Sequence, residues 1–451
     1  MLGRGVAGSV AARRAVRPRP PLEVAAIAPA PLPAGFAPFA DRRDAPRALG
    51  LDPGRLARIS RWMRGYVASG RLPYAMTLIA RRGEIAFLDA CGAAEPDAAD
   101  GAARERPPAP DHVARIYSMT KPIVTVAALS LYEEGRFQLD DPVSRFLPEF
   151  AATRVHVAGA GAERRTEPVA TPVTVRHLMT HTSGLTYGHF DPGPVGDAYR
   201  AQGVDFGDRA VSLAEMTARA ASVPLCFQPG TRWRYSVAVD VLGRVVEVVA
   251  GQPLDVVLSE RVLGPLEMTD TGFGLDAERA RRLPACYQAT ATGEMRRFDD
   301  AGERSIWFGM PVMRSGGGGL LSTLPDYLRF AEMLRRGGAL GEARVLGRKT
   351  VELMMSNHLP GDIASLGEAT FSEMPMVGIG FGLGGSVLLD PARAQILGSA
   401  GEFAWGGLAS TGFWIDRAEE IVAIFLTQLV PSSTWPLRRE LRVLTYQALV
   451  D

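Results

Sequence analysis

Strand-forming sequence stands near both ends of this 451-residue chain, and helix-forming sequence fills the middle. Residues 76–80 and 84–88 flank Arg81-Arg82-Gly83 and read as a β-hairpin. Far along the chain, residues 380–389 are rich in glycine and β-formers, and residues 411–415 pair with 421–427 across a charged turn. Between these lie helix signals. Asp52-Pro53 starts a helix through Ile59 and Met63 to Tyr66, and Ser118 opens another through Val126 and Leu129 to Glu134, stopped by Gly135. Ser212-Leu213-Ala214-Glu215 is a capping box, and residues 238–250 repeat apolar residues at helical spacing before Gly251. Thr323-Leu324-Pro325-Asp326 begins a further helix ending near Gly337, and a last one follows Trp435. Strands so far apart can share a core only in one antiparallel sheet assembled from remote segments, with a helical lobe beside it. The expected class is α+β (α/β). Residues 51–130 and 331–451 form a discontinuous sheet-containing lobe, residues 131–330 a mostly helical lobe, and the active site lies between them.

Composition narrows the function. A hydrophobic fraction of 47% is ample for such a core, and a formal net charge of +1 leaves no footprint for nucleic acid. No window approaches the roughly eighteen apolar residues of a membrane span. Three widely spaced cysteines, Cys91, Cys226 and Cys286, fit neither a disulfide framework nor a Cys-x-x-Cys site and read as inert thiols. Residues 1–50 differ in kind. They are rich in Ala, Pro and Arg, and although Arg13-Arg14 could open a targeting peptide, Pro18, Pro20 and Pro21 break its apolar stretch. A disordered tail and a cytoplasmic protein are the expectation. Nothing in the sequence indicates an oligomeric state.

Only two of the fifty basic residues are lysines, Lys121 and Lys349. Arginine never gives up its proton in proteins, whereas a desolvated lysine becomes a neutral amine and can serve as a base. Lys121 follows Ser118 by three residues, which on a helix puts amine and hydroxyl on one face. That is the arrangement of an activated serine nucleophile. Near a helix start Ser118 also feels the positive end of the dipole, while Pro122 demands a local irregularity there. Lys349 reads as a solvated charge. A proton relay to the leaving group is still needed, and Tyr235, just after the Pro229-Gly230 turn, is the best candidate. In Glu402-Phe403-Ala404-Trp405-Gly406-Gly407-Leu408 the paired glycines let backbone approach a ligand, so that an N–H from this stretch can join that of Ser118 around an oxyanion.

Other signals fail. His177 and His181 are spaced for zinc, but the Glu of His-Glu-x-x-His and a third ligand are missing, so no metal is expected. The glycines at 316–319 lack the Gly-Lys-Ser/Thr of a phosphate loop, and no serine sits in Gly-x-Ser-x-Gly.

Together these elements, from about Leu51 to the C-terminus, resemble the serine β-lactamase and penicillin-binding protein family, in particular its class C-like branch of family VIII carboxylesterases and related transesterases. His181-Thr182-Ser183-Gly184-Leu185 and Ser315-Gly316-Gly317-Gly318-Gly319-Leu320 look like further members of that pattern. The resemblance implies a β-lactamase/transpeptidase-like fold, with Ser118 as nucleophile, Lys121 as its base partner and Tyr235 as acid/base. It also implies Ser118 and Leu408 as oxyanion-hole donors and Trp405, Gly406 and Gly407 at the substrate. Two departures matter. Tyr235-Ser236-Val237 replaces Tyr-x-Asn, and Trp405-Gly406-Gly407 replaces Lys-Thr-Gly, leaving no cation for a β-lactam carboxylate. Both point toward the carboxylesterase branch. The expectation is a cofactor-free serine hydrolase that cleaves small-molecule carboxylic esters through an acyl-enzyme. β-Lactam or D-amino-acid peptide hydrolysis, acyl transfer, and an idle binding protein of the same fold are the alternatives. Trp233, Tyr187, Phe190 and Trp307 are candidates for an apolar acyl pocket.

Overall fold

The hairpin expected early in the chain and the strands expected late lie side by side in one eight-stranded sheet. Its strands are β1 (Ala40–Asp41), β2 (Tyr74–Arg81), β3 (Glu84–Gly92), β4 (Ile379–Phe381), β5 (Ser386–Leu388), β6 (Phe403–Gly406), β7 (Gly412–Asp416) and β8 (Ile421–Leu426), in the order β1-β3-β2-β8-β7-β6-β5-β4. All neighbours are antiparallel except β1, which runs parallel to β3. The central strands β2 and β8 are buried throughout, which is why they read as continuous apolar runs and not as alternating ones. Leu78 marks their register, opposite Leu88 on β3 and Ile424 on β8. This computed structural model describes residues 31–205, 209–290 and 292–451, and Leu32–Asp451 forms one compact unit.

Five helices position the site: α1 (Pro53–Ala68), α2 (Thr120–Glu133), α3 (Ala238–Ala250), α4 (Leu324–Arg335) and α5 (Leu437–Tyr446). Helix α1 is capped by Asp52, whose carboxylate accepts from Arg55 N at 2.9 Å, and Leu56, Ile59 and Met63 pack with α5 residues Leu437 and Leu441 on one sheet face. Each such fully buried side chain contributes about 1.5–3 kcal/mol. The opposite face carries Leu78, Phe413 and Ile424 against Tyr327 and Phe330 of α4 and the wholly buried front of α2. Helix α3 packs across α2 and stops at Gly251, whose φ of 71° is left-handed backbone that glycine adopts without strain.

Two expectations need correction. The helix expected from Ser118 begins only at Thr120; residues Tyr117–Met119 form a 3₁₀ turn entered through Tyr117 at φ 43°. The cause is local. Pro122 has no N–H for the Ser118 carbonyl four residues back, so regular helix cannot start there. The Ala/Pro/Arg-rich tail expected over 1–50 is also too long. Residues 1–30, including Arg13-Arg14, lie outside the described residues, but Phe36 and Phe39 are buried in the main core and β1 pairs with β3. Two aromatic side chains give that otherwise Pro-rich stretch enough apolar surface to dock.

Just before the turn, Arg115 is fully buried and gathers remote segments. Its Nε donates to Asp299 at 2.7 Å, Nη1 to the Pro284 carbonyl at 2.8 Å and to Gln428 at 3.1 Å, and Nη2 to the Asp300 carbonyl at 2.7 Å and to Ser305 at 3.1 Å. Among the described residues no helix is long and apolar enough to cross a membrane.

Candidate active site

The 3₁₀ turn lifts Ser118 to the floor of a cleft and leaves Lys121 one turn behind it, fully buried at the start of α2. Lys121 Nζ lies 3.2 Å from Ser118 Oγ and 3.2 Å from the Tyr187 hydroxyl, and donates to the Gly317 carbonyl at 2.6 Å. Burial pulls the amine down to about 7, against the opposing pull of the Asp240 carboxylate. At neutral pH such a lysine spends much of its time as a free amine. Lys349, by contrast, is exposed and pairs with Glu352 at 2.6 Å, as a solvated charge should.

The turn is held from three sides. Tyr327 of α4 donates to the Met119 carbonyl at 3.0 Å, Leu320 N donates to Thr120 Oγ1 at 3.1 Å, and Ile116 N donates to the Leu320 carbonyl at 3.3 Å. The glycines at 316–319 therefore serve close packing. A Cβ on Gly316 would come within 2.6 Å of the Val239 carbonyl.

Tyr235 stands across the cleft. It is buried among rings, with centroids 4.7 Å to His181, 4.9 Å to Phe371 and 5.4 Å to Trp405, and Trp233 stacks behind it at 6.3 Å. Burial raises its phenol, while the Ser118 and Trp405 side chains draw it back part of the way. Among the described residues its hydroxyl makes no hydrogen bond of good geometry, and Ser118 and Trp405 stand near it. The segment around His181 is the scaffold for this tyrosine: Arg234 N donates to the His181 carbonyl at 2.9 Å, and His181 Nδ1 meets Ser236 Oγ at 3.2 Å. Burial keeps His181 neutral, and His177 closes a capping box with Thr174. Val237 is fully buried in the core and does not line the cleft.

Trp405 and Gly406 at the end of β6, with Gly407 after it, reach the same place. A Cβ on Gly407 would come within 2.2 Å of the Ile116 carbonyl, so only glycine lets this strand end approach the Ser118 turn. Among the described residues, neither the Ser118 nor the Leu408 amide donates a hydrogen bond to the protein, and both residues line the cleft. Two unspent N–H groups beside a buried amine and a hydroxyl are what an oxyanion hole requires.

The cleft encloses about 1170 Å³ including its mouth, and its walls are mostly apolar. Of the four aromatic candidates Tyr187 and Phe190 line it, whereas Trp233 lies beneath Tyr235 and Trp307 packs edge-on against Tyr117 at 5.5 Å. A short hairpin, Thr370–Phe371 paired with Met374–Pro375, lays Phe371 on Trp405 at 5.7 Å. Its tip is tied down by Glu373 to Arg438 of α5 at 3.0 Å and by Ser372 to Ser432 at 3.0 Å. Sequence reasoning missed this hairpin, Arg438, the Tyr187–Lys121 contact and Asp240. Arg438 also changes the account of the third motif. A cation does stand there, but Glu373 neutralises it and its guanidinium donates to the Gly407 and Thr411 carbonyls at 3.1 and 2.8 Å. Among the described residues no group of three or more His, Cys, Asp or Glu could hold a metal ion.

The sequence profile described as Beta-lactamase matches residues 59–447. An uncharacterized protein of Mycobacterium tuberculosis (strain CDC 1551 / Oshkosh) is 37% identical over 368 residues, covering 80% of this chain and 87% of that protein. Esterase EstB of Burkholderia gladioli is 35% identical over 399 residues, with 85% and 93% covered. Among solved structures, EstCE1, a hydrolase with promiscuous acyltransferase activity, aligns at a TM-score of 0.71 and 29% identity over 90% of this chain and all of that one. The fold is thus β-lactamase/transpeptidase-like. A profile match that runs from within α1 to the end of α5 takes in strands β2 to β8, the Ser118 turn and the Tyr235 segment alike, and the chain belongs to the beta-lactamase family.

Proposed function

We propose that the protein is a serine hydrolase that cleaves small-molecule carboxylic esters through an acyl-Ser118 intermediate. The observation that carries this is the 3.2 Å contact between Ser118 Oγ and a lysine whose burial leaves it near half-neutral at pH 7. Lys121 takes the Ser118 proton as Oγ attacks the ester carbonyl, and the oxyanion forms against the Ser118 and Leu408 amides. Tyr235, kept protonated by burial, gives its proton to the departing alcohol. The resulting phenolate then draws a proton from water as its oxygen attacks the acyl carbon, and Lys121 returns its proton to Ser118 Oγ as the acid departs, which restores both groups. Tyr187 holds the Lys121 amine in place through its hydroxyl. In this reading the strand-bearing segments 51–130 and 331–451 supply Ser118, Lys121 and the Trp405–Gly407 edge, and the mostly helical 131–330 supplies Tyr235 across the cleft. The esterase relative EstB supports ester chemistry, as do Val237 and Trp405 in place of the polar residues that meet a β-lactam.

Acyl transfer is the second reading. Phe371 and Met374 of the hairpin add apolar surface to the cleft, and EstCE1 is described as having such activity. Chromogenic esters of graded acyl length, a chromogenic cephalosporin and a D-alanyl peptide, each tested on wild type and Ser118→Ala, separate the classes. Ester cleavage lost in Ser118→Ala is the expected result, whereas activity confined to the two amides would overturn it. Release of acylated alcohol when a second alcohol is added would favour transfer.

A further inference from the structure

Asp240 lies in the first turn of α3, fully buried, five residues after Tyr235. Its Oδ1 accepts from Ser315 Oγ at 2.5 Å and from Gly317 N at 2.9 Å. Among the described residues its Oδ2 has no hydrogen-bond partner. A buried carboxylate oxygen left in this state is costly, and both bonds at Oδ1 would be kept by an uncharged asparagine. Holding the glycine loop therefore does not account for the acid. Gly317 suggests what does. Its N–H donates to Asp240 and its carbonyl accepts from Lys121 at 2.6 Å, so one residue joins the buried acid to the buried amine. Glycine is required at that junction, because a Cβ would stand 2.3 Å from Oδ2.

Among the other described ionisable groups around the pair, none is a carboxylate whose charge bears on Lys121. Tyr187 and Tyr235 are held as neutral phenols by burial, and His181 and His189 are held as neutral imidazoles. Asp205 adds a negative charge that bears on Asp240, Tyr187 and His189. Asp240 is the carboxylate whose charge opposes the desolvation of Lys121.

We propose that Asp240 is a positioning residue for the reaction, setting through Gly317 the pH at which Lys121 becomes the free amine that activates Ser118. Without that charge, burial alone would strip Lys121 of its proton at lower pH. The inference rests on Lys121 as the base. It implies that the acid turns the amine into a switch that opens near neutrality and not well below it.

The test is kcat/KM for a 4-nitrophenyl ester as a function of pH, in wild type and Asp240→Asn. Because Oδ2 accepts nothing from the described residues, the amide removes charge without removing any of the hydrogen bonds seen there. The acid limb is expected to move to lower pH by about one unit. A limb that stays in place while the rate or the melting temperature falls would mean a purely structural role and would overturn the proposal. Ser315→Ala is the second variant, for the case in which Asp240→Asn does not fold. Losing that donor makes Asp240 easier to protonate, so the limb should move the same way by less, and an unmoved limb there overturns the proposal too. The two readings fail separately. A Lys121→Arg variant that keeps most of its rate removes the base itself, whereas an inactive Lys121→Arg with an unmoved limb in Asp240→Asn removes only the role of Asp240.

Discussion

Lys121 Nζ sits over the face of the Tyr235 ring, 4.4 Å from its centroid, while its polar contacts go to Ser118, Tyr187 and Gly317. The ring seats the amine and the hydroxyl is left for the substrate. Tyr235→Phe keeps the seat and removes the hydroxyl, so kcat for a chromogenic ester should fall by about 10²–10⁴ with the melting temperature nearly unchanged. Tyr187→Phe, which loses a contact to the lysine and leaves the Tyr235 hydroxyl in place, should cost less. Steady-state kinetics of both variants check the assignment, and the reverse order would move the acid/base role to Tyr187.

With Lys121 pulled down to about 7, kcat/KM should drop tenfold per unit as pH falls below about 7, because the protonated amine cannot accept from Ser118. The sign is that of a base whose neutral form is active. A limb near 10, the range of an ordinary lysine, would rule out this amine as the base. Lys121→Arg keeps the charge but cannot release it, and it should be nearly as inactive as Ser118→Ala in labelling by a fluorophosphonate.

Leu408→Pro tests the oxyanion hole at one atom. The Leu408 amide makes no hydrogen bond within the described protein, so proline removes a donor that only substrate would use. A loss of about 10²–10³ in kcat with an intact fold by circular dichroism is expected. An unchanged kcat would take this amide out of the mechanism.

Stability should be most sensitive at Arg115. Arg115→Met leaves Asp299 buried beside a lost guanidinium and frees the Pro284 and Asp300 carbonyls, and breaking such a pair costs about 3–5 kcal/mol. Urea denaturation should show a markedly lower midpoint. A midpoint within error of wild type would mean that the cluster is dispensable.

The parts of the site legible in sequence are those fixed by short spacing. Ser118 and Lys121 needed only one helical turn, and Trp405-Gly406-Gly407 needed only the rule that backbone approaches closely where Cβ is missing. The late strands were legible because their apolar runs are bounded by turns. What escaped depends on partners distant in sequence. Nothing around Asp240 announces an acid, and it gains meaning only when Gly317 is folded against it. Tyr187 meets Lys121 across 66 positions, and Arg438 reaches Gly407 across 31. The buried stretch after residue 30 was missed because Phe36 and Phe39 are two apolar anchors in a composition otherwise typical of tails.

The pairing of Gly406 with Gly412 across β6 and β7 leaves a bare patch of sheet on which the Arg438 guanidinium lies. A Cβ at Gly406 would fall 2.4 Å from that group, which is pinned by Glu373 and two carbonyls. Any side chain at 406 must therefore displace Arg438 and, with it, the Glu373 anchor of the hairpin beside the cleft. The bare glycine and the cation lying on it thus act as one unit, and the shape of the cleft wall depends on a side chain that is missing.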